Sequence, residues 1–159
     1  MQFSLDIAER VRLPRPLRRV LVPIFQATIE RAWKDVHMSQ ATLFLSVACV
    51  SPEEIRVLNR KYLQHDRSTD VLSFPEYSAE ELHVIREKLL TSNSETIFLG
   101  EIVLCYDEIV HAAQEDDVSD IHELAFIFSH GILHLLGFLH GERMFVMQDD
   151  VADEITKAH

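Results

Sequence analysis

Glycine and proline are scarce in this chain, at 4 and 5 of 159 residues, and there are only 2 cysteines. So few chain breakers leave no low-complexity tract and no obvious linker, and no internal repeat is visible. The expectation is one compact domain spanning residues 1–159. Cys49 and Cys105 both fall in apolar, strand-like runs and read as reduced core thiols. No apolar stretch approaches the roughly 18 residues that a membrane span needs. The opening MQFSLDIAERVRLPRP lacks the basic-then-apolar layout of a secretory signal, which makes the cytoplasm the expected location.

Positive charge is also short. Lys and Arg number 15 against 26 Asp and Glu, a net charge of -11, which by itself argues against a nucleic-acid partner. The distribution is uneven, however. Residues 1–67 hold 11 of the 15 basic residues and 7 of the 26 acidic ones, and the rest of the chain holds 4 and 19. Arg10, Arg12, Arg15, Arg18 and Arg19 form one basic group, and Arg56, Arg60, Lys61 and Arg67 another. The sequence therefore predicts a polarised surface with a basic face drawn from its first half. Either group taken alone reads equally as a solvated helix face.

Hydrophobic residues make up 47% of the chain, as in an ordinary globular protein. After a short extended start, apolar residues from Val20 to Trp33 recur at helical spacing, predicting a helix over 18–36. LFLSVACV, TDVLSF and IFLGEIVLCY predict strands over 43–50, 69–74 and 97–106. Ser51 followed by Pro52, Glu53 and Glu54 reads as a helix start, with the helix running to Leu63. Further helices are predicted over 78–90, 107–115, 119–136 and 142–157, with Gly137 ending the third of these. The result is an α/β domain, of the α+β type, with about four strands in a small mixed sheet and five or six helices.

The decisive segment is SHGILHLLGFLH, residues 129–140. Helical residues four apart differ by only about 40° in direction, so His130 and His134 stand one above the other on one face. Gly137 can adopt positive φ and let the chain swing back, which brings His140 up as a third ligand. Three protein nitrogens on one ion leave a fourth position for water, the arrangement of a catalytic rather than a structural zinc site. His37, His65, His83, His111, His122 and His159 are isolated and read as exposed or locally bonded. Asp116-Asp117 and Asp149-Asp150 read as helix-flanking charge. The spacing H-x-x-x-H-x-x-G-x-x-H is shared with metzincin proteases, which place a glutamate base directly after the first histidine. Here that position is Gly131, which cannot take a proton from water. A bound ion could still lower the pKa of its water to about 7 and polarise a phosphoryl oxygen.

HGILHLLGFLH closely resembles the signature of the YbeY family of bacterial endoribonucleases. LNRKYLQHDRSTDVLSFP (58–75), LGEIVLC (99–105), Glu123-Leu124-Ala125 and the pair Met144 and Gln148 resemble that family's other blocks, in order, over residues 43–151. The resemblance implies one divalent ion, zinc, on His130, His134 and His140, and a single-stranded RNA substrate. It implies maturation of the 3′ end of the small-subunit rRNA, a part in ribosome quality control, and contact with ribosomes or ribosome-associated proteins. Thr69, Asp70 and Ser73 would then fall near the pocket. Two residues depart from the family pattern: Leu63 stands where an arginine is usual, and Leu139 where an aspartate precedes the third histidine. Leucine lacks the fork of donors that clamps phosphate, leaving Arg60, Lys61 or Arg67 to supply it. Two other readings of the residues stay open. One is a metal-dependent hydrolase of another bond, such as a peptide. The other is a ribosome-associated RNA-binding protein with a largely structural metal.

Overall fold

The computed structural model describes residues 1–36, 40–91 and 95–159. Four strands, β1 (Gln2–Glu9), β2 (Thr42–Val50), β3 (Val71–Pro75) and β4 (Thr96–Cys105), form one sheet in the order β1-β2-β4-β3. β1, β2 and β4 run parallel, and β3 closes the edge antiparallel to β4. Six helices accompany them: α1 (Arg15–Ala32), α2 (Pro52–Leu63), α3 (Ala79–Thr91), α4 (Tyr106–Glu115), α5 (Asp120–Leu135) and α6 (Glu142–Ala158).

β2 carries β-branched or aromatic residues at Thr42, Phe44, Val47 and Val50, and Leu43, Leu45, Val47 and Cys49 alternate into the core. On β4 the alternation divides two cores. Ile102 and Leu104 join the large one, built with α1, α5 and α6, whereas Val103 and Cys105 join a small one with Ile55 of α2 and Leu72 of β3. Helix α2 therefore covers the sheet face opposite α5. Two serines start helices as the sequence predicts: Ser51 Oγ accepts from the Glu54 N–H at 3.2 Å, and Ser119 Oγ from the His122 N–H at 3.1 Å.

Three elements differ from the sequence prediction. The extended start is a full strand, because Phe3, Leu5 and Ile7 alternate onto the large core while their neighbours stay exposed. The first helix begins at Arg15, with Pro14 as its cap, and ends at Ala32, three residues earlier and four residues earlier than its predicted limits. Proline at the start of a helix loses only a donor that had no partner there. The third strand starts at Val71, two residues late; the Asp70 carbonyl accepts from the Cys105 N–H at 2.9 Å, and the ladder with β4 begins one residue later. Strand β4 carries a register shift opposite Phe44 and Leu45, next to Gly100 at φ 136°. A Cβ at Gly100 would sit on the carbonyl oxygen of Phe74, so only glycine lets β3 and β4 close here.

Candidate metal centre

The end of α5 sets the geometry of the site. Gly137 lies at φ 81°; its N–H donates to the carbonyl of His134 at 3.0 Å, and the N–H of Phe138 donates to that of Leu133 at 3.0 Å. This pair of bonds is the Schellman termination, which satisfies the last carbonyls of the helix and reverses the chain. Gly137 therefore performs the swing back that the sequence assigns to it, and His140 returns to the two histidines of the helix. The ring centroids of His130 and His134 lie 4.4 Å apart, those of His134 and His140 4.6 Å, and those of His130 and His140 5.1 Å. One nitrogen from each ring falls within 4.8 Å of the other two. Among the described residues, no carboxylate or thiolate joins this group.

Hydrogen bonding orients the rings. Nδ1 of His134 lies 3.2 Å from the carbonyl oxygen of Phe138, a partner that can only accept, so Nδ1 carries the proton and Nε2 keeps its lone pair. That Nε2 stands 3.0 Å from Nε2 of His130. The side chain of Gln148, only 4% exposed on α6, is a hydrogen-bonding neighbour of His130 and donates its amide to the carbonyl of Phe126 at 3.4 Å. Two imidazole nitrogens this close share a proton in the free site or an ion in the loaded one, and a third ring converging on the same point makes a donor set suited to an ion. With bonds of about 2.0–2.1 Å, a tetrahedral ion spaces its nitrogens about 3.3–3.4 Å apart, a small side-chain adjustment from the observed contact. The donor set therefore fits one borderline-soft divalent cation. Burial, followed by the neighbouring rings, pushes the pKa of His134 down. Burial also lowers that of His130, against the Gln148 bond. Both rings are thus held in the neutral form that coordinates metal.

Gly131 settles the protease comparison. A Cβ there would meet Ser73 Oγ, Val71 Cγ2 and Ile102 Cδ1, each at 3.2 Å. A side chain at position 131 therefore presses into the contact between α5 and the sheet, and a glutamate there would have to displace Ser73, Val71 and Ile102.

The remaining candidates are spread along β3 and α2. Ser73 lies against α5: its hydroxyl donates to the carbonyl of Gly131 at 3.2 Å, the residue that follows His130. Thr69 and Asp70 sit at the far end of β3, where the Thr69 hydroxyl donates to the Asp70 carboxylate at 3.3 Å. Burial raises the pKa of Asp70, and its charge acts in turn on Glu123. Arg60 lies on α2, on the opposite side of the sheet, in a hollow with Glu53, Arg56, Val57 and Asp66. His65, His83, His111, His122 and His159 stay apart from the centre. His83 pairs with Glu87, His111 faces Glu115, and His122 faces Thr156. His37 lies outside the described residues. Cys49 and Cys105 are buried and free, and burial pushes the Cys49 thiol up to about 12, so neither offers a thiolate.

Sequence reading passed over Gln148 as a ring-orienting group and Glu123 as a buried acid. The signal was available in both cases. Gln148 interrupts the buried stripe Met144, Met147, Val151, Ile155, and Glu123 opens the apolar run LAFIF, where a polar residue must find a partner or lose its charge.

Comparison with known proteins agrees with this geometry. A Dehalococcoides mccartyi protein (strain BAV1) named endoribonuclease YbeY is 38% identical over 146 residues, which cover 91% of this chain and 86% of that protein. One of the same name from Ureaplasma urealyticum serovar 10 is 35% identical over 118 residues, covering 71% of this chain and 68% of that protein. The solution structure of TM1509 from Thermotoga maritima matches with a TM-score of 0.59 at 24% identity, covers 99% of this chain and 91% of that one, and shares the fold. The model of the endoribonuclease YbeY family matches residues 17–156, nearly the whole chain, and the chain belongs to that family.

Proposed function

We propose that this chain is a single-domain, metal-dependent endoribonuclease that cuts single-stranded RNA. One divalent ion, zinc, is held by His130, His134 and His140. In this reading it matures the 3′ end of the small-subunit rRNA and takes part in ribosome quality control, in contact with ribosomes or their associated proteins. The reading rests on the family membership for its substrate. It rests for its chemistry on the convergence of three imidazoles with a 3.0 Å approach between the nitrogens of His130 and His134. An ion bound there supplies Lewis acidity for a phosphoryl oxygen and an acidified water. The protein's own residues do the positioning. Gln148 and the Phe138 carbonyl fix two of the rings, and Ser73 pins α5 to β3 beside them. No side chain is assigned as the general base. Elemental analysis of the purified protein, followed by incubation with single-stranded rRNA fragments, tests the proposal. One equivalent of metal and cleavage lost in His134→Ala are expected; cleavage equal to that of His134→Ala would refute it.

Leu63 and Leu139, 52% and 86% exposed, favour a second reading, an RNA-binding protein whose metal is structural. Salt-sensitive RNA binding with no turnover would support it, and cleavage abolished by a chelator would remove it.

A further inference from the structure

A second feature borders the histidines. Phe126 lies on α5 four residues before His130, hence on the same helical face and about 6 Å along the axis. Its ring meets that of Phe145, on α6, edge to face at a centroid distance of 5.7 Å. Phe145 is 58% exposed, an aromatic face turned to solvent. Gln148, one turn after Phe145 on α6, bonds both the carbonyl of Phe126 and the ring of His130, so one buried amide ties the aromatic pair to the metal centre. Glu142 and Asp149 stand one turn to either side of Phe145 on α6 and carry exposed side chains. Their negative charge keeps a phosphate off this ring and leaves its face to an uncharged planar group.

We infer that Phe145, backed by Phe126, is a stacking platform for a nucleobase of the RNA whose backbone lies at the three-histidine centre. The inference rests on the endoribonuclease reading and adds a base-binding subsite to it. Every base presents a π face, so such a platform holds the strand without reading its sequence. It also suits this protein, since several of its arginines are already engaged by carboxylates: Arg10 with Glu54, Arg18 with Glu9 and Arg56 with Asp66.

The test uses metal-loaded protein and two single-stranded oligoribonucleotides of equal length, one of them abasic. Phe145→Ala is expected to bind the ordinary strand about tenfold more weakly, as removal of a stacking partner does, and to raise KM more than it lowers kcat. It should bind the abasic strand as wild type does. Because Phe145 is at the surface, Phe145→Leu provides a folded variant that keeps apolar area and loses the π face, and it should behave like Phe145→Ala. Phe145→Trp places an exposed indole beside the buried Trp33 background, and its emission should be quenched by the ordinary strand and not by the abasic one. If the wild type cleaves RNA while Phe145→Ala and Phe145→Leu bind the ordinary strand as tightly as wild type and the emission of Phe145→Trp does not move, the platform is refuted and the nuclease reading stands. Quenching by an arginine-rich peptide instead of RNA would also overturn it. If the wild type neither binds nor cleaves RNA, the nuclease reading falls and takes the platform with it.

Discussion

Glu123 offers a quantitative check on the interior of this fold. It is 6% exposed on α5, and burial, then the charges of Asp116 and Asp70, push its pKa from 4.5 up to about 7. A raised pKa in the folded state means that the folded chain holds a proton which the unfolded chain has released. Stability is then fully present below about pH 4.5 and is lost as pH rises through about 7. At 1.36 kcal/mol per unit, ionising Glu123 in place costs about 3 kcal/mol once the pH is well above 7. Glu123→Gln keeps the shape and never ionises. It should therefore lie within about 1 kcal/mol of wild type at pH 5 and exceed it by up to about 3 kcal/mol at pH 8.5, a rise in Tm of roughly 6–10 °C for a domain of this size. The assay is urea unfolding of both proteins, in the same metal state, across that range. His130 and His134 act in the opposite sense: their pKa values are lowered in the fold, so protonation below about pH 6.5 destabilises it. That contribution is common to both proteins and cancels in the difference. Parallel pH profiles for the two would refute the argument, because they would show that the Glu123 carboxylate is ionised at no cost.

Two further outcomes follow from the site. Gly131→Glu, which writes the metzincin base into the sequence, is expected to give an unstable protein with no peptidase activity, losing more than about 4 kcal/mol as a carboxylate is driven between α5 and the sheet; thermal melts and a casein assay check this, and a stable, proteolytic variant would contradict it. Acidification should release the metal only below about pH 6, because burial holds His130 and His134 below the ordinary histidine range of about 6.5; metal analysis after equilibrium dialysis reads this directly, and loss already at pH 7 would contradict it.

The sequence displayed the metal centre almost completely, and the reason is local. His130, His134, Gly137 and His140 lie within one helix end, where spacing alone fixes direction, and the Schellman bonds at Gly137 follow from its freedom at φ 81°. The helix caps at Ser51 and Ser119 are local in the same sense. What periodicity could not show is which face of the sheet each helix covers. Arg60 and Ser73 look equally near the pocket when read along residues 58–75, yet β3 alternates, placing Ser73 against α5 and turning Leu72 and Phe74 toward α2. The role of Gly131 was legible only as a missing base. That its hydrogen faces Ser73, Val71 and Ile102 is a fact about packing between elements far apart in sequence.

The same distinction bears on how an acidic protein engages RNA. The basic residues that the first half gathers do not form one free patch. Arg10, Arg18, Arg31 and Arg56 each sit within 3.4 Å of a carboxylate, and Arg31 reaches Glu154 on α6. Such pairs add little to stability at the surface, about 0–1 kcal/mol each, but they do reduce the charge available to phosphates. Long-range steering is correspondingly weak. Strand capture then falls to short-range contacts at the centre itself, the ion on its three imidazoles and the aromatic pair tied to it through Gln148. On the proposed reading the ion and a stacked base hold the strand, so neither Leu63 nor Leu139 has to supply a charged clamp.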